Sequence, residues 1–270
     1  MKSTRSTIIL IFLLILNSNL SFSQNFKMVG NNNLDNTSSD NKKLFNGQWA
    51  GFDIGFISTN MSDEWSNKIM QSTTFGLNLY EYKLPIIRQY LGITTGLGFN
   101  FKTFTFGDDY SLFSTDTSVA LVTGNPFLYD TNSTVKTSQL NQIFFQIPLL
   151  LDFSTKVKQK KALSLAAGVV GGIRLSTNHK LNGKYSNGDK FQNVIKDDNR
   201  FHTNLLSLEG MVRLAYGPFG LYGTYSLTSL FKKDATKEIM PFSIGISFNI
   251  DYGKEKEEIT ITEETEDGNI

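Results

Sequence analysis

The chain has 270 residues, with 26 Lys plus Arg against 25 Asp plus Glu and no cysteine. So even a balance offers no basic field to nucleic acid, and no nucleic-acid partner is expected. The missing cysteine excludes disulfides, thiol catalysis, cysteine-ligated metals and a lipid on an N-terminal cysteine.

The first element is a targeting signal. Lys2 and Arg5 precede the apolar run Ile8 to Leu16, and small Ser21 and Ser23 follow it. Nine apolar residues are too few to span a bilayer, which takes about twenty. The pattern predicts a signal peptide over residues 1–23, cleaved between Ser23 and Gln24. Cleavage removes Lys2 and Arg5 and leaves 24 basic against 25 acidic residues. Residues 24–46 are rich in Asn, Ser, Asp and Lys without periodicity, a flexible polar lead-in.

From there to residue 252 the chain alternates with period 2, and no helical stripe lasts beyond a turn. Eight strands are expected, at 47–58, 70–83, 88–106, 139–154, 161–176, 201–216, 219–231 and 238–252. Phenylalanine and glycine, 22 of each, suit this many closely packed strands. Short turns at 84–87 and 217–218 fall at one end; polar loops at 107–138 and 177–200 fall at the other. That asymmetry predicts an all-β fold: a closed, eight-stranded, antiparallel up-and-down transmembrane barrel with periplasmic turns and extracellular loops. Residues 253–270 carry seven acidic residues against two lysines and form an acidic periplasmic tail.

Each strand has one apolar and one small or polar face. Leu163, Leu165, Val169, Ile173 and Leu175 alternate with Ser164, Ala166, Gly168, Gly172 and Arg174. A soluble lipocalin-like barrel would turn the apolar set inward and show Lys and Glu outside. Here the second face is Gly, Ser, Thr and Asn, which suits the crowded inside of a small barrel. Trp49, Tyr80, Tyr82, Tyr90, Phe153, Tyr216, Phe219 and Tyr252 gather near the short-turn end, as a membrane-interface girdle would. Within "NQIFFQIPLLLDF" the inward Pro148 cannot donate to a ladder, so a bulge or an interior partner is expected there.

That same segment resembles a strand of small Bacteroidetes outer-membrane barrels, the PorT-like family. "AAGVVGGIRLS" resembles the family's next strand, and "LLSLEGMVRLAYGPFGLYGTYSLTSLF" its late hairpin. The resemblance covers about residues 47–252. It implies an eight-stranded barrel in the outer membrane, a link to protein export, and no catalytic residues to carry over.

Inward charges are expected at Asp53, Lys102, Asp152, Arg174, Glu209, Arg213 and Asp251, with Arg174 and Glu209 on neighbouring strands. In so narrow a barrel they must pair, as a salt-bridged plug rather than an ion path. Ser176, His179 and His202 are the candidates for nucleophilic catalysis at the outer rim, without a spacing that fixes a geometry. Asp108, Asp109 and Asp116 are oxygen-rich but out of register for a calcium loop. Neither metal nor cofactor is expected. Phe127, Tyr129, Tyr185 and Phe191 are expected as partner-contact groups in the long loops. The reading is a non-enzymatic outer-membrane barrel with a closed interior, a subunit or scaffold of an envelope assembly in contact with lipid and, through its loops or tail, with other envelope proteins. An outer-rim enzyme acting on lipid or peptide and a soluble ligand-binding barrel are the alternatives.

Overall fold

Alternation of apolar and small side chains, with few helix formers between turns, commits the chain to strands. The structure, a computed structural model, describes residues 48–59, 65, 67–87, 90–107, 109–124, 133–155, 163–197 and 201–250. The expected signal peptide, lead-in and acidic tail, with Asp108, Phe127, Tyr129, Asp251 and Tyr252, lie outside the described residues. The strands are β1 (Gly51–Ser58), β2 (Thr73–Ile87), β3 (Leu91–Thr105), β4 (Tyr110–Ser114), β5 (Val119–Thr123), β6 (Thr134–Ser154), β7 (Leu163–Lys184), β8 (Lys190–Asp197), β9 (Leu206–Tyr216), β10 (Phe219–Ser226) and β11 (Phe242–Asn249).

Eight of them form a ring in the order β6-β3-β2-β1-β11-β10-β9-β7, and β6 pairs with β7 to close it. All the pairings are antiparallel. The fold is therefore the expected closed eight-stranded barrel. Ile54, Leu149, Leu165, Val212, Leu221, Ile244 and Ile246 are exposed on the outside, while Ala166, Val170 and Met211 are buried inside.

Both long connections differ from expectation. β4 and β5 form a hairpin within 107–138, and the stretch read as loop 177–200 is largely sheet. There β7 runs on to Lys184, keeps its pairing with β6 and takes β8 on its other edge. The result is a three-stranded flap above the ring. Leu175 is an extra residue in β7, because Ile143 opposes Ser176 and Phe144 opposes Arg174. Such a bulge exchanges the two faces of the strand. Even-numbered residues face inward below it; Thr177, His179, Leu181 and Gly183 are the buried ones above it.

Other boundaries shift for local reasons. β2 continues through Pro85 to Ile87 across a register shift, which accommodates the proline. The β2–β3 connection therefore falls between Ile87 and Leu91 rather than at 84–87. β10 stops at Ser226, and Thr203 makes only an isolated bridge to Phe231.

Two expectations about side chains are corrected. Trp49 is not in the girdle: it is 1% exposed and lies inside the ring with Leu150, Ala166, Val170, Met211 and Tyr222. Its ring needs Gly96, where an added Cβ would come within 2.7 Å of Trp49 Cδ1. Pro148 causes no bulge. The registers of β6 with β7 and with β3 are the same on both sides of it; only the rungs at Ile147 and Pro148 are missing from the β3 ladder. The Thr95 hydroxyl donates to the Pro148 carbonyl at 2.8 Å and satisfies that acceptor where the β3 rung is missing. Thr95→Val should cost about 1–3 kcal/mol by stranding that carbonyl. Urea unfolding in detergent micelles measures it, and Thr95→Ser, which keeps the hydroxyl, should cost much less.

Candidate functional site

A ring this narrow brings side chains from opposite walls together. β9 supplies two such groups, four residues apart and both inward: Glu209 and Arg213. Arg213 donates to Asp53 on β1 and to the Gln48 carbonyl, and Asn78 Nδ2 donates to the other Asp53 oxygen at 2.8 Å. The guanidinium also lies 5.5 Å from the Trp49 ring and 6.0 Å from Tyr222. One tier nearer the flap, Lys102 on β3 forms an ion pair with Glu209, its ammonium 5.1 Å from the Phe144 ring. All four ionic partners are buried.

Toward the short turns, Glu81 accepts the backbone N–H groups of Trp49 and Ala50 and pairs with Lys83 at 2.8 Å. This anchors the chain just before β1 inside the ring. Asp152 is 1% exposed, and neither of its oxygens has a hydrogen-bond partner among the described residues.

Arg174 was expected beside Glu209. Its guanidinium instead holds the Asn204 carbonyl at 3.1 Å, the Thr203 carbonyl at 3.3 Å and Thr177 Oγ1 at 2.8 Å. Those carbonyls lie just beyond the point where β9 parts from β7, so Arg174 caps the fork between barrel and flap.

Above the Lys102–Glu209 pair lies a cavity of about 20 Å³, lined by Gln142, Phe144 and Ser207 among others. It has room for about one water, which the unpartnered Gln142 amide and Ser207 hydroxyl would bind. A cluster of Ile57, Trp65, Phe104, Phe106, Leu140, Phe201 and Phe231 then closes the flap end of the interior, with Leu112 and Val119 of the β4–β5 hairpin packed into it. Paired charges below and aromatic rings above make a stopper rather than a channel.

The three rim candidates do not meet. Ser176 faces outward, and His202 Nε2 contacts the Thr115 carbonyl at 2.9 Å. His179 is fully buried and hydrogen-bonds a serine the sequence did not single out, Ser138, at 2.9 Å. Phe201 lies edge-on to it at 5.4 Å, and Nδ1 has no partner among the described residues. Burial pushes the His179 imidazole down to about 4, so it is neutral at pH 7. A Ser–His pair with no carboxylate behind it and no exposed surface lacks an orienting group and a way in for substrate.

Asp109 adopts φ 62° and ties the hairpin base, its carboxylate accepting Val135 N–H at 3.3 Å and its carbonyl Gly124 N–H at 2.6 Å. Asp116 is exposed on the hairpin turn. Among the described residues, no three His, Asp or Glu side chains converge as metal ligands. Phe191 is buried against Val135 and Leu181, with Tyr185 packed on it at 5.1 Å; these rings build the flap's own core instead of reaching outward.

No protein-family model matches the chain, and neither a curated protein nor a solved structure matches it.

Two outcomes follow from this interior. Glu209→Gln should cost about 3–5 kcal/mol by leaving Lys102 buried without its counter-charge, and Lys102→Met with Glu209→Met should recover most of that; unfolding in micelles compares them. The His179 imidazole is held below its unfolded value of about 6.5, so folding favours the neutral form. Its stability contribution is therefore complete above pH 6.5 and falls by up to about 3 kcal/mol as pH drops toward 4. His179→Gln should flatten that decline, read as hydrogen exchange of the flap amides against pH.

Proposed function

We propose that the chain is an integral outer-membrane barrel with a closed interior, a non-enzymatic subunit or scaffold of an envelope assembly. The observation that carries this is the inside-out distribution of chemistry. Exposed Ile, Leu, Val and Phe cover the wall of a closed ring, while ion pairs and amides fill its core. Water would penalise that outer surface, whereas lipid matches it, and a closed ring leaves no backbone edge for lipid to strand. Tyr80, Tyr82, Tyr90, Phe153, Tyr216 and Phe219 are exposed near the short turns, as an interfacial belt requires. No helix among the described residues is long and apolar enough to cross a membrane, so any span is made by strands.

A lipocalin-like carrier needs the opposite arrangement, with an apolar cavity inside. An outer-rim enzyme would need the Ser138–His179 pair to be reachable, and it is sealed. The signal-peptide pattern of residues 1–23 supports export, and the resemblance to PorT-like barrels supports a protein-secretion assembly as the setting. Partners would then be outer-membrane lipid and envelope proteins that meet the flap, the hairpin or the acidic tail.

Gel mobility of boiled and unboiled outer-membrane samples tests the barrel. The unboiled form should migrate differently and need detergent for release. Identical mobility together with release by salt alone would overturn the assignment. Tagging the C-terminus and identifying co-purifying proteins by mass spectrometry tests the assembly role: a stoichiometric partner is expected, and a lone monomer would remove it.

A further inference from the structure

The bulge at Leu175 gives the flap an outward face unlike the rest of the wall. Below it, the outward residues of β6 and β7 include Phe145, Ile147, Ile173 and Leu175. Within two residues they change to Asn141 and Asn178, hydrogen-bonded to each other at 3.0 Å. Beyond them lysines recur among Gln139, Asn182, Gln192 and Val194. Lys180 sits opposite Gln139, Lys196 opposite Asn178, and Lys184 directly opposite Lys190. The exposed Lys136, at a second bulge, adds another. Among the described residues, no acidic side chain occupies an outward position of this face, and none of the five lysines pairs with a described carboxylate.

Lys180 and Lys196, the lysines nearest the belt, are diagonal neighbours across the β7–β8 ladder, and like charges so placed repel unless an anion lies between them. The position of the face says which anion. It continues the apolar belt directly upward, and at about 3.3 Å per residue the first rungs above Ile143 lie within headgroup depth of that belt's edge. An amphiphile with acyl chains and a phosphate-bearing head matches both halves at once; an acidic protein or a free phosphate matches only the upper one. We propose that the outward face of the flap holds the anionic, phosphorylated headgroup of an outer-leaflet lipid, whose chains lie on Phe145, Ile173 and Leu175. The inference rests on the outer-membrane reading.

The test uses the full chain, folded in zwitterionic detergent, and native mass spectrometry with two added probes: diphosphoryl lipid A and the same lipid without its phosphates. The wild type should retain the phosphorylated form preferentially. Lys180→Gln/Lys184→Gln/Lys196→Gln should weaken that retention by at least about tenfold, since each lysine near an anionic surface contributes several-fold. High salt should do the same to the wild type. All three substitutions are on exposed or half-exposed side chains, and an unchanged shift in gel mobility on boiling shows that the variant is folded. Equal retention of the two probes, or no effect of the triple substitution, overturns the headgroup site. Loss of a co-purifying acidic protein with lipid retention unchanged overturns it in favour of protein docking. If the wild type shows no mobility shift and stays in solution without detergent, the outer-membrane reading itself has failed.

Discussion

Ring closure between β6 and β7 is the constraint on which the rest of the structure depends. Outward positions of the wall, Thr95 excepted, are almost all apolar or aromatic over most of its height, so on the outer-membrane reading little outside can serve a stranded N–H or carbonyl. Pairing must therefore be complete around the ring, and the longest ladder, from Ser154–Ser164 up to Thr134–Lys184, makes the closing contact. Pro148 shows how strict the demand is. Two rungs of the β3 ladder are missing at Ile147 and Pro148, and the Thr95 hydroxyl serves the Pro148 carbonyl there without a change of register.

Closure at eight strands then dictates the interior. The lumen is narrow enough for β9 to reach β1 and β3 across it, so Arg213–Asp53 and Lys102–Glu209 act as cross-braces between opposite walls. Burying these charges is costly in itself, and each is tolerable only because its partner arrives from the far side. Gly96 and Trp49 belong to the same arrangement: the glycine makes room, and the indole fills the space beside the guanidinium. Removing one member would leave a void or a lone charge, so the core is specified as a set.

Much of this was legible in the sequence, and the failures have physical causes. Period-2 alternation with small inward residues marks the eight wall strands because each must satisfy lipid-like surroundings on one side and a crowded lumen on the other. The inward positions of Asp53, Lys102, Glu209 and Arg213 followed from that alternation. Their pairing did not, since proximity along the sheet suggested Arg174 for Glu209 while the decisive contact runs across the lumen to Lys102. The flap was missed because both its faces are polar or mixed, so "TNHKLNGK" lacks the apolar alternation that betrays a half-buried strand. A weaker signal was present: lysine and asparagine recur at every second position from Asn178 to Lys184. In sequence, Phe191 and Tyr185 read as contact groups because a loop aromatic has no other use, whereas a sheet aromatic has a core to fill. Trp49 lies within the expected strand 47–58 and shares the parity of inward Asp53, so the alternation pointed it inward, whereas its place near the short-turn end pointed to the girdle.

The same β6–β7 ladder that closes the ring also rises out of it as the flap, and this joins the two ends of the molecule. The flap's inner side, with His179, Leu140 and Phe201, packs onto the aromatic seal, while Arg174 fastens its root to the segment leading into β9. A lumen braced by ion pairs and stoppered by rings leaves little to do inside. What the interior rigidity provides is a fixed height and orientation for a lysine-bearing sheet held against the outer edge of the apolar belt. Recognition by such a surface depends on its being preorganised, because flexible lysines on a mobile loop would lose entropy on meeting a headgroup that a rigid ladder has already arranged for. On the proposed reading the closed barrel is the mount, and the lysine face that would meet a headgroup lies on the strands that outgrow it.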